Sequence, residues 1–426
     1  MKHSSLARIV LAAAGALGLI AAAAGPATAA TSPSSGLVYS VHPIIQRAHF
    51  SHVAALPQNP ADCLAATGGE FACQTPDSIR AAYDIPATIG GMAAGTGQTI
   101  VIVDAYGSPT VRSDLANFSA AFGLPAATLN VYYPVGMPTW TGSRTQVNWA
   151  EETSLDVQWA HAVAPGATID LVVSATPYGD NLNAAEQWAV SHHLGNVMSM
   201  SFGIPENTIH GNNGQLAQAH SVYVSAAAQH MSVFASSGDS GSDNGAGFAN
   251  FGFPASDPLV TAVGGTNLWV GSGLNEPRET VWGDFTNCPT TCGDGPFGAT
   301  GGAPSLITSK GGSDVAYNAS VYTGVLTYLG FLGAANDGFY FFGGTSAGSP
   351  QWAALTADVI QAVGHPVGGV NQYLAGWAAN GQLNDVTVGS NDTPTFMGGF
   401  SATGGWDRPT GYGTPDVGAI ITALSH

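Results

Sequence analysis

From Gln74 onward the chain alternates short, branched apolar runs with longer stretches of helical character, and this alternation restricts the fold more than any other feature. Thr99-Ile-Val-Ile-Val-Asp104 is an unbroken apolar run of strand length. Ala167–Ser174, Asn196–Phe202 and Ser232–Ser236 repeat it. Helical stretches are expected at Val111–Phe122, Asn148–Val163, Asn181–His193 and Ala217–His230. Apolar strands separated by helices predict an α/β fold with a doubly wound, mostly parallel sheet flanked by helices. Such sheets bind their ligands beyond the carboxyl ends of the strands, so chemistry is expected there.

The chain is 45% hydrophobic, enough for a sizeable core, and only 8% charged, against roughly 25% in an average soluble domain. Its start reads as a targeting signal: Lys2 and Arg8, an apolar run from Ile9 to Ala24, then Ala27-Thr28-Ala29. Residues 1–29 are therefore expected to be a signal peptide, and the protein to be secreted, extracellular and free of the membrane afterwards. Without that segment seven basic residues face 27 acidic ones, a net charge of −20 with Lys310 the one lysine. A surface of that sign repels nucleic acid and anionic membranes and moves toward neutrality in acid. Export favours disulfides, and sequence proximity favours Cys63–Cys73 and Cys288–Cys292. Residues 30–73 show no clear period and read as a short leader or N-terminal extension.

Three segments carry chemistry. In Gly343-Gly-Thr-Ser-Ala-Gly-Ser-Pro350 the glycines supply a tight turn before Ser346, and a helix at Ala347–Val363 would aim its first amides at that serine. In the helix Glu151-Glu152-Thr-Ser-Leu-Asp156, Glu152 and Asp156 stand four apart, share a face and can share a proton. Leu155, Trp159 and Val163 mark its apolar side, Glu151 reads as solvated, and His161 reads as structural. Phe234-Ala-Ser-Ser-Gly-Asp239-Ser-Gly-Ser242 follows a strand and places an acid in a glycine-rich turn.

Gly-Thr-Ser-x-x-x-Pro, Glu-x-x-x-Asp followed by Ala164-Pro-Gly166, and Ser-Gly-Asp-Ser-Gly, in this order of helix, loop and nucleophile, resemble the sedolisin family of serine-carboxyl peptidases. The resemblance covers residues 74–426 and implies a single subtilisin-like peptidase domain. It implies Ser346 as nucleophile, Glu152 as base, Asp156 as its partner, and a protonated Asp239 in the oxyanion hole. Phe253–Thr266 and Glu279–Trp282 look like segments that shape the substrate cleft, and the strand ending at Gly203 could pair with an extended substrate. Asn384-Asp385-Val386-Thr387 and Thr403-Gly-Gly405-Trp406-Asp407 resemble two halves of the family's calcium site. That implies one structural Ca²⁺ on the Asp385 and Asp407 carboxylates and the Val386, Thr403 and Gly405 carbonyls. Thr403 stands where the family usually has glycine. The implied protein is a monomeric, acid-acting endopeptidase with protein or peptide substrates. Two alternatives remain open at this level: a tripeptidyl exopeptidase of the same family, and an inactive secreted binding protein on its scaffold. Asp104, at the end of the first strand, is a carboxylate adjacent to the site with no assigned role.

Overall fold

The computed structural model describes residues 36–425 apart from 42, 49–55, 210, 212, 270–278, 286–296 and 395. The expected signal peptide and the Cys288/Cys292 pair lie outside the described residues.

The central sheet runs, in spatial order, Glu279–Val281, Thr261–Leu268, Ser232–Ser236, Val197–Met200, Thr99–Ala105, Thr168–Ser174 and Thr128–Tyr132, and Val315–Asn318 also pairs with Thr261–Leu268. Every pairing is parallel except that of Glu279–Val281. Ile100, Val101, Ile102 and Val103 of the central strand are fully buried, as an apolar run covered on both faces requires. Ile100 and Ile102 pack into one core layer and Val101 and Val103 into the other. Strand order reverses around Thr99–Ala105: the chain first builds outward to Thr128–Tyr132 and Thr168–Ser174, then crosses to Val197–Met200 on the other side. The crevice at that reversal opens at the strands' carboxyl ends, where Asp104, Ser201 and Asp239 all lie.

The expected elements are found with shifted ends. The helix expected from Asn148 begins at Arg144, because the Ser143 side chain caps it by accepting from the Gln146 amide. The helices expected from Asn181 and Ala217 span Gly179–Ser191 and Asn213–Ala228.

The described part of residues 30–73 is packed on the body. Ile44–Arg47 pairs antiparallel with Tyr340–Gly343, in register Ile44 to Gly343. Cys63 and Cys73 form a disulfide inside a small apolar cluster, where Phe71 stacks on Tyr322 and Phe341.

Candidate active site

The strand Gly338–Gly343 delivers the chain to Gly344, whose φ of 114° is accessible to glycine. A Cβ there would stand 2.7 Å from an Asp239 oxygen, so the glycine also allows the acid to approach. One 3₁₀ turn, Thr345–Ala347, leads into the helix Gly348–Val363. Pro350 sits in its first turn, where a missing N–H leaves no helical bond unmade. Ser346 is 4% exposed, with its Oγ a long 3.5 Å from the Ser201 carbonyl oxygen.

Asp239 follows the strand Ser232–Ser236. One of its oxygens accepts from the Thr345 N–H at 2.7 Å and from the Thr345 hydroxyl at 2.9 Å. These bonds tie the acid to the residue before Ser346. Asp239 and Ser346 line one cavity of about 110 Å³, with Ser201–Pro205 and Ser236–Ser240 as its walls.

The helix Arg144–Val163 supplies the carboxyl pair. Glu152 and Asp156 are both fully buried, and none of their oxygens has a hydrogen-bond partner among the described residues. The Glu152 pKa is driven well up, first by burial, then by the charges of Asp104, Asp239 and Glu151. The nearby Ser346 hydroxyl acts in the opposite sense. That hydroxyl faces Glu152 without closing an ordinary hydrogen bond. Burial also drives Asp156 well up, followed by Asp104 and then Glu152. Three carboxyls crowded in a dry site cannot all ionise, so the cluster holds protons to higher pH than free side chains would.

Asp104 is the third member: buried, raised to about 7 by burial, with the Thr153 hydroxyl pulling the other way. Glu151 departs from its solvated reading. It is 7% exposed and raised to about 7 by burial. The polar side of this helix is covered by protein as fully as its apolar side, so helical periodicity alone gives the wrong environment. His161 is buried, with its Nε2 3.0 Å from the Pro125 carbonyl oxygen.

The cleft itself holds part of the stretch expected to be a leader or N-terminal extension. Ser40 and Gly203 exchange both backbone hydrogen bonds, at 3.1 and 3.2 Å, in an antiparallel bridge. On the opposite wall the Tyr39 N–H donates to the Pro177 carbonyl, and the Gly179 N–H donates to the Leu37 carbonyl. Residues 37–40 thus lie between two strand-like walls, and Val41 lines the cavity that holds Ser346. Farther along, Ile44 pairs with Gly343, three residues before Ser346. Leu37-Val38-Tyr39-Ser40-Val41 does carry a period-two signal, with Leu37, Tyr39 and Val41 buried and Val38 exposed.

The segments expected to shape the cleft divide. Phe253 packs near Tyr39, while Glu279 accepts from the Tyr83, Thr266 and Thr414 hydroxyls and clasps three distant elements.

The two C-terminal loops meet. An Asp385 oxygen accepts from the Gly405 N–H at 2.8 Å, and Asp407 accepts from the Thr403 and Thr410 amides at 3.0 and 2.9 Å. Burial raises the Asp407 pKa; the Thr410 and Thr403 bonds lower it, and the Asp385 charge adds a small rise. No group of three or more His, Cys, Asp or Glu is placed to hold a metal among the described residues. The two loops bring together two carboxylates, hard oxygens of the kind Ca²⁺ takes.

No family model matches the chain. Kumamolisin of Bacillus sp. (strain MN-32) is 33% identical over 373 residues, covering 82% of this chain and 63% of that protein. Sedolisin of Pseudomonas sp. (strain 101) is 29% identical over 375 residues, covering 81% and 60%. A solved structure of Pseudomonas sedolisin, a serine-carboxyl proteinase complexed with pseudo-iodotyrostatin, superposes with a TM-score of 0.70 at 25% identity, over 82% of this chain and 97% of that one. The chain belongs to the sedolisin family. Tripeptidyl-peptidase 1 of Canis lupus familiaris is a further relative, 26% identical over 88% of this chain and 68% of that protein. The chain spans about six tenths of the length of kumamolisin and sedolisin. The fold is the family's subtilisin-like α/β fold.

Proposed function

We propose that this sedolisin-family chain is a serine-type endopeptidase that works in acid. The observation that carries the reading is the convergence of Ser346, Asp239 and the buried Glu152/Asp156 pair at one end of the sheet. Ser346 Oγ attacks the peptide carbonyl while its proton passes to Glu152. Asp156 shares the remaining proton of the pair and orients Glu152. The carbonyl oxygen becomes an oxyanion, which accepts from the Ser346 backbone amide and from Asp239 in its protonated form. Glu152 returns the proton to the leaving amine as the C–N bond breaks. Water then attacks the acyl-enzyme, giving its proton to Glu152, and Ser346 leaves reprotonated.

Endopeptidase action is favoured over tripeptidyl action by the bound segment. Residues 37–41 occupy the cleft on one side of Ser346, so five residues fit where a tripeptidyl enzyme must block the path after three. The presence of all four residues at this end of the sheet supports an active enzyme over an inactive binding protein on the same scaffold.

Export through residues 1–29 belongs to the same proposal. Among the described residues no helix is long and apolar enough to cross a membrane. Asp385 and Asp407 would hold one calcium ion with help from the Val386, Thr403 and Gly405 carbonyls. The ion would lock two loops together and take no part in the reaction.

The test is hydrolysis of a denatured protein from pH 3 to 8 by the wild type and by Ser346→Ala, with product lengths read by mass spectrometry. Turnover highest in acid, internal cleavage products and no turnover in Ser346→Ala are expected. Wild-type turnover in Ser346→Ala, or an optimum at pH 8, would sink the mechanism.

A further inference from the structure

Tyr39 lies between the two cleft walls as an extended substrate would, and its side chain enters a defined recess. The ring is 2% exposed, edge-on to Phe202 at 5.4 Å and tilted to Phe253 at 6.5 Å. Gly179, at the start of the helix Gly179–Ser191, closes one side: a Cβ there would stand 3.4 Å from the Tyr39 ring. Two turns along the same helix comes Glu186, 1% exposed. Its Oε2 has no hydrogen-bond partner among the described residues. Tyr223 tilts against the same Phe253 ring at 6.5 Å and packs in one core cluster with Tyr39 and Phe202, and Glu186 raises the pKa of both tyrosines. An acid buried under an otherwise aromatic recess has a purpose if it meets a hydroxyl. Neither the nucleophile nor the carboxyl pair makes use of it.

We infer that the recess filled by Tyr39 is a substrate subsite for a tyrosine side chain, walled by Phe202 and Phe253, with Glu186 and Tyr223 reading the phenol hydroxyl at its floor. The inference rests on the peptidase reading for its substrate but not for its binding. Tyr39 marks the subsite because residues 37–41 hold the cleft with both walls' backbone bonds made. A peptide must displace them to bind, and its residue in this register enters the same recess. Phenylalanine would fill the walls and leave the buried acid unanswered, while alanine would fill neither. Sites built around a hydroxyl reject analogues without one more strongly than apolar pockets reject a missing methylene.

Two arms test this. In the first, the labelled hexapeptide Gly-Leu-Val-Tyr-Ser-Val, and versions with phenylalanine or alanine at the tyrosine, are titrated against the full chain carrying Tyr39→Ala and Ser346→Ala. Tyr39→Ala vacates the recess and Ser346→Ala prevents cleavage. The tyrosine peptide should bind at least about tenfold more tightly than the alanine peptide, with phenylalanine between. In the same background Glu186→Gln should narrow the gap between tyrosine and phenylalanine. In the second arm, quenched substrates carrying the same three residues are given to the otherwise unmodified chain, which removes any dependence on a variant folding. kcat/KM should follow the same order. Equal binding of the three peptides, or equal kcat/KM, overturns the subsite. Graded binding with no cleavage of any substrate supports the subsite and overturns the peptidase reading instead.

Discussion

Glu186 gives a stability prediction that does not depend on catalysis. Its carboxyl is raised by burial from 4.5 to about 8, with a bond from Tyr223 working against the rise. The unfolded chain releases this proton near pH 4.5, whereas the folded chain holds it until about 8. The folded state therefore binds more protons between those values, and stability falls as pH rises through them. Below pH 4.5 the group costs nothing. At 1.36 kcal/mol per pH unit, full ionisation costs about 5 kcal/mol, and about 3 kcal/mol of that accrues between pH 4 and 7. Glu186→Gln places a neutral side chain of the same shape there and removes the term. For a body of roughly 390 residues the unfolding entropy is about 0.8 kcal/mol per kelvin, so 3 kcal/mol corresponds to about 4 °C in Tm. Tyr39 and Tyr223, the titratable neighbours, have raised pKa values and stay neutral across this range. The assay is calorimetry at pH 4 and pH 7 in a Ser346→Ala background, which prevents self-digestion. Both chains should lose Tm on the way to pH 7, because other buried carboxyls act with the same sign. The chain carrying Glu186→Gln should lose about 4 °C less. Identical losses would refute the assignment of a buried, neutral Glu186.

Glu152→Ala should abolish peptide hydrolysis. Glu151→Ala should keep measurable kcat, since Glu151 acts on Glu152 through its charge alone; equal losses would place the base at the wrong residue. Asp104→Asn should leave the acid limb of the pH–kcat/KM profile in place and change it only near and above pH 7, where Asp104 ionises and its charge bears on both members of the pair; a limb that moved in acid would mean that Asp104 is already ionised there. Excess chelator should lower the Tm of a calcium-loaded preparation, as removal of any ligand bound only to the native state does. A melting curve unchanged against a metal-free control would dismiss the Asp385/Asp407 site.

The sheet was legible because parallel strands covered on both faces leave little room for polar residues, so Ile100–Val103 and Leu171–Val173 stand out as apolar runs. Strand and helix ends were less legible, since a cap such as Ser143 sets them and a polar residue before a helix is common. The carboxyl pair was legible from its spacing, and the tight turn before Ser346 from its glycines. The environment of the pair was not. Glu151 sits beside Glu152 in a helix whose polar side faces protein, and no local pattern reports what covers a polar face. Asp104 and the pair meet only through the sheet, across some fifty residues of sequence. The cleft segment was hidden differently: five alternating residues are a weak signal when their pairing partners, Pro177–Gly179 and Gly203, lie more than 130 residues away.

The low charge content and the site chemistry have a common physical basis. A catalytic carboxyl must be buried to hold a proton above its ordinary range, and burial of an acid is tolerable only while the acid is neutral. Ten described carboxyl groups are shifted upward, from Asp104 and the Glu152/Asp156 pair to Asp358 on the buried helix that follows Ser346. With nine basic residues in the whole chain, cations cannot offset them as they would in an ordinary protein. Among the described residues the ion pairs are Arg80 with Asp77, His220 with Asp257, and Lys310 with Asp314. Acid usually unfolds proteins by protonating carboxylates whose native partners then lose their bonds. Here few such pairs exist to be broken, while protonation removes the cost of the buried groups. Stability and the protonated form of Asp239 are therefore both favoured by acid, and the fold and the proposed chemistry respond to rising pH in the same direction.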